Sequence, residues 1–240
     1  MEKYYFEKEL KEAVLIRNGG RPTAMVLNGE EMEVCCPELC SMNIGEDGNP
    51  CLVSEDKISS DKKYEVVAFS LDYPNRENKD WICLEPAIFE DALEFFLFSH
   101  CMEGMVNGCT FQKMESRGDT GPDFFAEGSC IQINVPDAIL NPVYGEWFEI
   151  KSLLLTGRKI ARHRNLIANF HGTGKRIIFL TIFQHNLNDN LQGLLCKELS
   201  RFFGMDMEEG NEFWVADVKL EPDGIILLSY QDITDRVLLS

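Results

Sequence analysis

The sequence predicts a mixed α/β (α+β) protein. A small β-barrel or sandwich is expected over residues 1–78, followed over 79–240 by an α/β domain with helices on both faces of a sheet. Three observations carry this. Short β-type runs with turn signals between them fill residues 10 to about 72. A polar stretch, Asp72–Asp80, interrupts them. Beyond it, apolar residues recur at helical spacing in segments that alternate with near-continuous apolar runs. With 240 residues, 45% hydrophobic and 26% charged, the chain can build a core in each part and lies far from disordered compositions.

In the first part, Ala24–Leu27 and Glu30–Val34 flank Asn28-Gly29, a two-residue hairpin signal, and Tyr64–Phe69 is a further strand. Asp72–Asp80 reads as a linker. Pro86 then opens a helix over Ala87–His100, with Ile88, Phe89, Ala92, Leu93, Phe96 and Leu97 on one stripe. Gly104–Gly128 is glycine-rich and reads as irregular. Strands are predicted at Cys130–Val135 and Trp147–Leu155, and a helix at Ile160–Phe170, ended by Gly172-Thr173-Gly174. Arg176–Gln184 is a buried-type strand, Leu191–Phe203 a helix, and Phe213–Leu220 and Gly224–Tyr230 the last strands.

No apolar run approaches the ~20 residues of a membrane-spanning helix. The charged start, Met1-Glu2-Lys3-Tyr4-Tyr5-Phe6-Glu7, has no apolar signal core, so a cytoplasmic protein is expected. Nine cysteines in such a chain are expected to be reduced thiols. Cys35, Cys36, Cys40 and Cys51 contain no Cys-x-x-Cys pair and have no histidine near them in sequence, so zinc is set aside. Gly172-Thr173-Gly174-Lys175-Arg176 lacks the first glycine and the hydroxyl residue of a phosphate-binding loop and precedes a strand; it is set aside as well.

Charge is segregated. Between Ile150 and Asn188 there are seven basic and no acidic residues, so this segment is +7 in a chain of net charge −17 and the remainder carries −24. Lys151, Arg158, Lys159, Arg162, Arg164, Lys175 and Arg176 supply the charge, and His163, His171 and His185 lie among them. The segment is either a confined anion-binding face or a basic helix paired with acidic neighbours. His163 is either a phosphate contact or a residue on the exposed face of its helix.

One constellation points to chemistry. Glu149 and Lys151 alternate onto one face of their strand. If Val143 centres the turn in Asn141–Gly145, antiparallel pairing sets Asp137 opposite Glu149, with Cβ atoms roughly 5 Å apart. Two carboxylates so close repel unless they share a proton or a divalent cation. Mg²⁺ binds one or two carboxylates and keeps waters, and a neighbouring ammonium can orient a nucleophile or offset phosphate charge. Glu149 lies between Phe148 and Ile150 in an otherwise apolar strand, which argues against a merely solubilising role.

These segments, taken in order, resemble the sugar fermentation stimulation protein A family. Val34-Cys35-Cys36-Pro37-Glu38-Leu39-Cys40-Ser41-Met42 is similar to its His-Cys-Pro-Asn-Thr-Gly-x-Met signature. Val135–Leu140 stands for Arg-Ile-Asp-Phe-Leu-Leu, and Trp147–Ser152 for Tyr-Val-Glu-Val-Lys-Ser. Arg162-His163 stands for Lys-His, and Lys175–Gln184 and Phe213–Leu227 for later strands. The resemblance implies an OB-like β-barrel followed by a PD-(D/E)XK restriction-endonuclease-like domain, with DNA binding, a link to sugar metabolism and a divalent metal, Mg²⁺ or Mn²⁺. It implies Asp137 and Glu149 as metal ligands, Lys151 as the catalytic lysine of a nuclease, and Arg162 as a phosphate contact. Arg158, Lys159, His163, Arg164 and Lys175 are the accompanying nucleic-acid-binding candidates. Glu90 or Glu94 would supply a further carboxylate from the first helix.

The chain also departs from that pattern. Pro86-Ala87-Ile88 replaces Pro-Asn-Arg, and Glu38-Leu39-Cys40 replaces Asn-Thr-Gly, setting a carboxylate on the barrel. A second register matches Gly128-Ser129-Cys130-Ile131-Gln132 to Gly-Ser-Arg-Ile-Asp. It would put Gln132 at the metal position and leave a binding protein without the reaction.

Overall fold

The computed structural model describes residues 2–18, 21–35, 48–55, 64–70, 72–85, 87–106, 111–114, 121–126, 128–136, 157–184, 189–203 and 210–240. The chain is mixed α/β. Among the described residues it forms a six-stranded and a seven-stranded sheet, with four helices. No helix among them is long and apolar enough to cross a membrane.

β1 (Lys3–Tyr5) pairs into the larger sheet. The smaller one is antiparallel and contains β2 (Lys11–Asn18), β3 (Arg21–Leu27), β4 (Glu30–Glu33), β5 (Pro50–Glu55), β6 (Tyr64–Ser70) and β7 (Trp81–Cys83), in the order β4-β3-β2-β5-β6-β7. Asn28 and Gly29 turn the β3–β4 hairpin with φ of 53° and 85°, as a tight primed turn requires. Cys35 forms a parallel bridge with Glu65: its N–H donates to Tyr64 O (2.9 Å) and its carbonyl accepts from Val66 N (2.9 Å). This joins the segment after β4 to β6 and curls the sheet back on itself. Leu15, Met25, Val34, Cys51, Val66 and Phe69 fill the interior.

The larger sheet runs β1-β13-β12-β11-β10-β9-β8. It contains β8 (Phe111–Lys113), β9 (Phe124–Ala126), β10 (Ser129–Asn134), β11 (Arg176–Phe183), β12 (Asn211–Glu221) and β13 (Gly224–Asp232). β10, β11 and β12 are parallel, and the outer strands antiparallel. The helices are α1 (Ala87–Phe98), α2 (Gly157–Phe170), α3 (Asp189–Phe203) and α4 (Thr234–Leu238). β11 lies between two parallel neighbours and is covered on both faces, which accounts for its continuous apolar run. One face packs on α1 through Phe89, Ala92, Leu93, Phe96 and Leu97; the other packs on α2, α3 and α4. β1 closes the far edge so tightly that a Cβ on Gly224 would meet Tyr4 O at 2.0 Å.

Three expectations need correction. Gly104–Gly128 is not wholly irregular, because β8 and β9 fall within it and pair outward from β10. The Asp72–Asp80 stretch is clasped: Asp72 accepts hydrogen bonds from Asp80 N (2.7 Å), Ser70 Oγ (3.2 Å) and Arg76. That return lets β7 extend the smaller sheet past residue 78. Leu52, Val67 and Trp81 of that sheet share one core with α1 and the larger sheet. The Gln184 amide adds a clasp, accepting from Cys83 N (2.7 Å) and donating to Cys83 O (3.2 Å). The cysteines among the described residues are free thiols, and burial pushes Cys83 up to about 12.

Candidate functional site

Asp137, Glu149 and Lys151 lie outside the described residues, as do the turn and strand expected to unite them. Their surroundings are described. β10 ends at Asn134, and the chain leaves it through Val135 and Pro136 at the carboxyl end of the parallel strands. α2 returns antiparallel to them, so its first turn stands over that end. Lys159 fixes the junction: its Nζ donates to Val135 O at 2.7 Å.

The basic candidates and His163 are all on or after α2, but they do not form one patch. Arg158 and Arg164 are exposed, and the outward positions between and beyond them are Ala161, Asn165, Ala168 and Asn169. Arg164 also donates to Phe202 O (2.8 Å), on the α3 side. Arg162 points to the opposite side and is committed: it donates to Asp123 Oδ1 (2.7 Å) and Gly121 O (2.9 Å). Lys175 sits beyond the far end of the helix, over the rings of Phe125 and Phe170. An α-helix rises 1.5 Å per residue, which puts roughly 20 Å between the Arg158 and Lys175 ends.

His163 corrects both surface readings. It is 0% exposed, with ring centroids 4.7 Å from Phe179, 4.9 Å from Phe203 and 5.9 Å from Phe213. Its neighbours in sequence are arginines, but its helical phase is that of the buried Ile160 and Leu166. Gln132, also fully buried, faces it from the middle of β10. The amide Nε2 donates to Lys159 O (3.2 Å), so the Gln132 oxygen is left to accept from His163 Nδ1–H (3.2 Å). His163 Nε2 then carries the lone pair, with no hydrogen-bond partner among the described residues. Burial lowers the imidazole to about 3, so it is neutral at physiological pH.

The first-helix carboxylates separate as well. Glu94 and Asp91 both reach Lys113, at 3.5 and 2.7 Å. Glu90 is half-buried, and burial together with the Asp123 carboxylate raises its pKa. Asp123 escaped the sequence analysis because it belongs to no recognisable motif. It ties three elements together: one carboxylate oxygen accepts from Ile133 N (2.7 Å) and the other from Arg162. Among the described residues no group of three or more His, Cys, Asp or Glu is arranged to hold a metal ion.

No family model matches the chain, and no curated protein matches it in sequence. Among solved structures it is similar to SfsA of Pyrococcus furiosus, determined in complex with Ca²⁺. The identity is 11%, the match covers 96% of this chain and 97% of that one, and the TM-score is 0.61. At this identity the likeness is one of architecture, and the chain has an SfsA-like fold.

Proposed function

We propose that this chain is an SfsA-like nucleic-acid-binding protein, with DNA as the first candidate, built from an OB-like barrel that ends with β7 and a PD-(D/E)XK-like domain that follows it. The strand pairing supports the barrel. β2 pairs with both β3 and β5, and the segment after β4 runs parallel to β6, as in a small, partly open Greek-key barrel. The observation that carries the function is the outward face of α2. It presents Arg158 and Arg164 among alanines and asparagines, within a run from Ile150 to Asn188 that contains no carboxylate, on a chain of net charge −17. Phosphate binding through such a face weakens steeply with salt. Arg158→Glu with Arg164→Glu should abolish binding to labelled oligonucleotides at low salt. Wild-type protein that binds no DNA or RNA at low salt would overturn the proposal.

The hydrolytic form of this reading adds Asp137 and Glu149 as ligands for Mg²⁺ or Mn²⁺, with Lys151 placing the nucleophile. Its support is the sequence spacing and the raised pKa of Glu90, a half-buried carboxyl whose ionisation is opposed by burial and by the charge of Asp123, an effect that a cation would relieve. The relative's Ca²⁺ is a hard cation of the class that carboxylates hold. The binding-only form is favoured by Gln132. It occupies mid-β10 in the register of Gly128-Ser129-Cys130-Ile131, and its oxygen is committed to His163. Lys151→Ala separates the two forms. If the site is hydrolytic, Mg²⁺- or Mn²⁺-dependent cleavage disappears while binding persists. A wild type that binds but never cleaves with either metal leaves the binding form.

A further inference from the structure

At the end of α2 remote from the carboxyl end of β10, two phenyl rings are left half in water under a lysine. Phe125 of β9 and Phe170, the last residue of α2, meet edge to face, with centroids 5.8 Å apart and planes at 75°. The Lys175 ammonium lies 5.0 Å from one centroid and 5.2 Å from the other. Both rings are partly exposed and the lysine is exposed. The fold holds the group in place. Phe125 pairs with Cys130 at the start of β10, and Arg176 starts β11 in register with Ser129, so Lys175 emerges beside Phe125. The turn from α2 uses Gly172 and Gly174 at φ of 70° and 71°, and Thr173 donates from its hydroxyl (2.7 Å) and backbone N (3.1 Å) to Phe170 O.

We propose that Phe125, Phe170 and Lys175 form a docking point for an unpaired nucleobase and its phosphate, so that the ligand of the α2 face is single-stranded nucleic acid. This rests on the nucleic-acid reading above and specifies its substrate. Every base has a π-face that stacks on an aromatic ring, but a duplex hides those faces within its own stack. The ammonium sits on a flexible four-carbon stem, so it can swing from the rings to a phosphate as a base takes its place. The arginine-bearing outward face of α2, a helix with no acidic residue of its own, then leads the strand toward the carboxyl end of β10.

Anisotropy titrations with a labelled single strand of about 12 nucleotides, and with the matching duplex, test this in the full chain. Wild type should prefer the single strand. Phe125→Leu and Phe170→Leu keep apolar volume but remove the π-face, and each should weaken single-strand binding about tenfold while leaving duplex binding and the salt slope unchanged. Lys175→Gln should lower the salt slope by about one. Phe125→Trp adds a direct readout, because its emission should be quenched by saturating oligothymidine. If wild type binds but the leucine variants bind equally well and the tryptophan emission is unmoved, the inference fails and the parent reading stands. A wild type that binds no nucleic acid overturns both.

Discussion

The two faces of the larger sheet are made by alternate residues of the same strands, yet their chemistry differs. Toward α1, β10 and β11 present Ile131, Ile133, Ile178, Leu180 and Ile182, all within one apolar core. Toward α2 and α3, the same strands present Gln132, Asn134 and Thr181, followed on β12 by Asp217, none more than 4% exposed. The register sets them in rows: Gln132 beside Phe179 and Phe213, then Asn134 beside Thr181, with Asn134 Nδ2 3.3 Å from Thr181 Oγ1. Burying polar groups costs stability unless each is paired. The α1 face shows that this sheet can be covered without them. The polar inlay runs toward the carboxyl ends of the parallel strands, where open α/β sheets bind their ligands. The α1 face is therefore the foundation of the fold, and the α2 face is where it accommodates other demands.

The largest expected effect lies on the foundation. Phe96 is 1% exposed and packs in the core shared by both sheets. Phe96→Ala should cost about 3–5 kcal/mol, lowering the denaturant midpoint. A loss below about 1 kcal/mol would break the comparison, because the apolar face would then be dispensable.

The second effect is smaller and specific to the inlay. Gln132→Ala removes the acceptor of His163 Nδ1–H and the donor to Lys159 O, and should cost about 1–3 kcal/mol in equilibrium unfolding. Removing both polar partners with shape roughly kept is expected to be nearly neutral. Gln132→Leu with His163→Phe should therefore recover most of that loss, and a double variant no better than Gln132→Ala would show that the pair is not coupled.

How far the sequence disclosed these faces depends on whether local or tertiary forces set each element. The Asn28-Gly29 turn, the stripe of α1, the run of β11 and the glycine stop after α2 are local properties, and all are found where expected. β8 and β9 are three residues each, too short for periodicity, and exist only through pairing outward from β10. The return of β7 depends on one aspartate, Asp72, accepting from a backbone eight residues ahead. At the candidate site, charge counting located the basic helix but not the direction of each side chain. Arg158, Arg162 and Lys175 count equally in sequence, but one is exposed, one is committed to Asp123 and one lies over two phenyl rings. His163 was legible only through its phase with Ile160 and Leu166, a signal masked by the arginines beside it.

The smallest expected effect, a pH dependence, tests whether the inlay excludes water. Among the described residues His163 is surrounded by Gln132 and three phenylalanine rings, and none of these ionises to favour its charged form. Its folded pKa of about 3 lies below the unfolded value of 6.5. Between the two the unfolded chain holds a proton that the native one does not, so acid shifts the balance toward unfolding. His163 therefore has its full stability above pH 6.5 and loses it progressively as pH falls toward 3. From pH 7 to 5.5 the loss should be about 1 kcal/mol. This window lies above the range in which ion-paired carboxylates such as Glu221 and Asp223 give up their contribution, because their lowered pKa values start from 4.5 and 3.8. His163→Gln should flatten the unfolding free energy between pH 7 and 5.5. A variant that keeps the wild-type slope would mean that water reaches the imidazole, and that the two faces differ less in dryness than their packing implies.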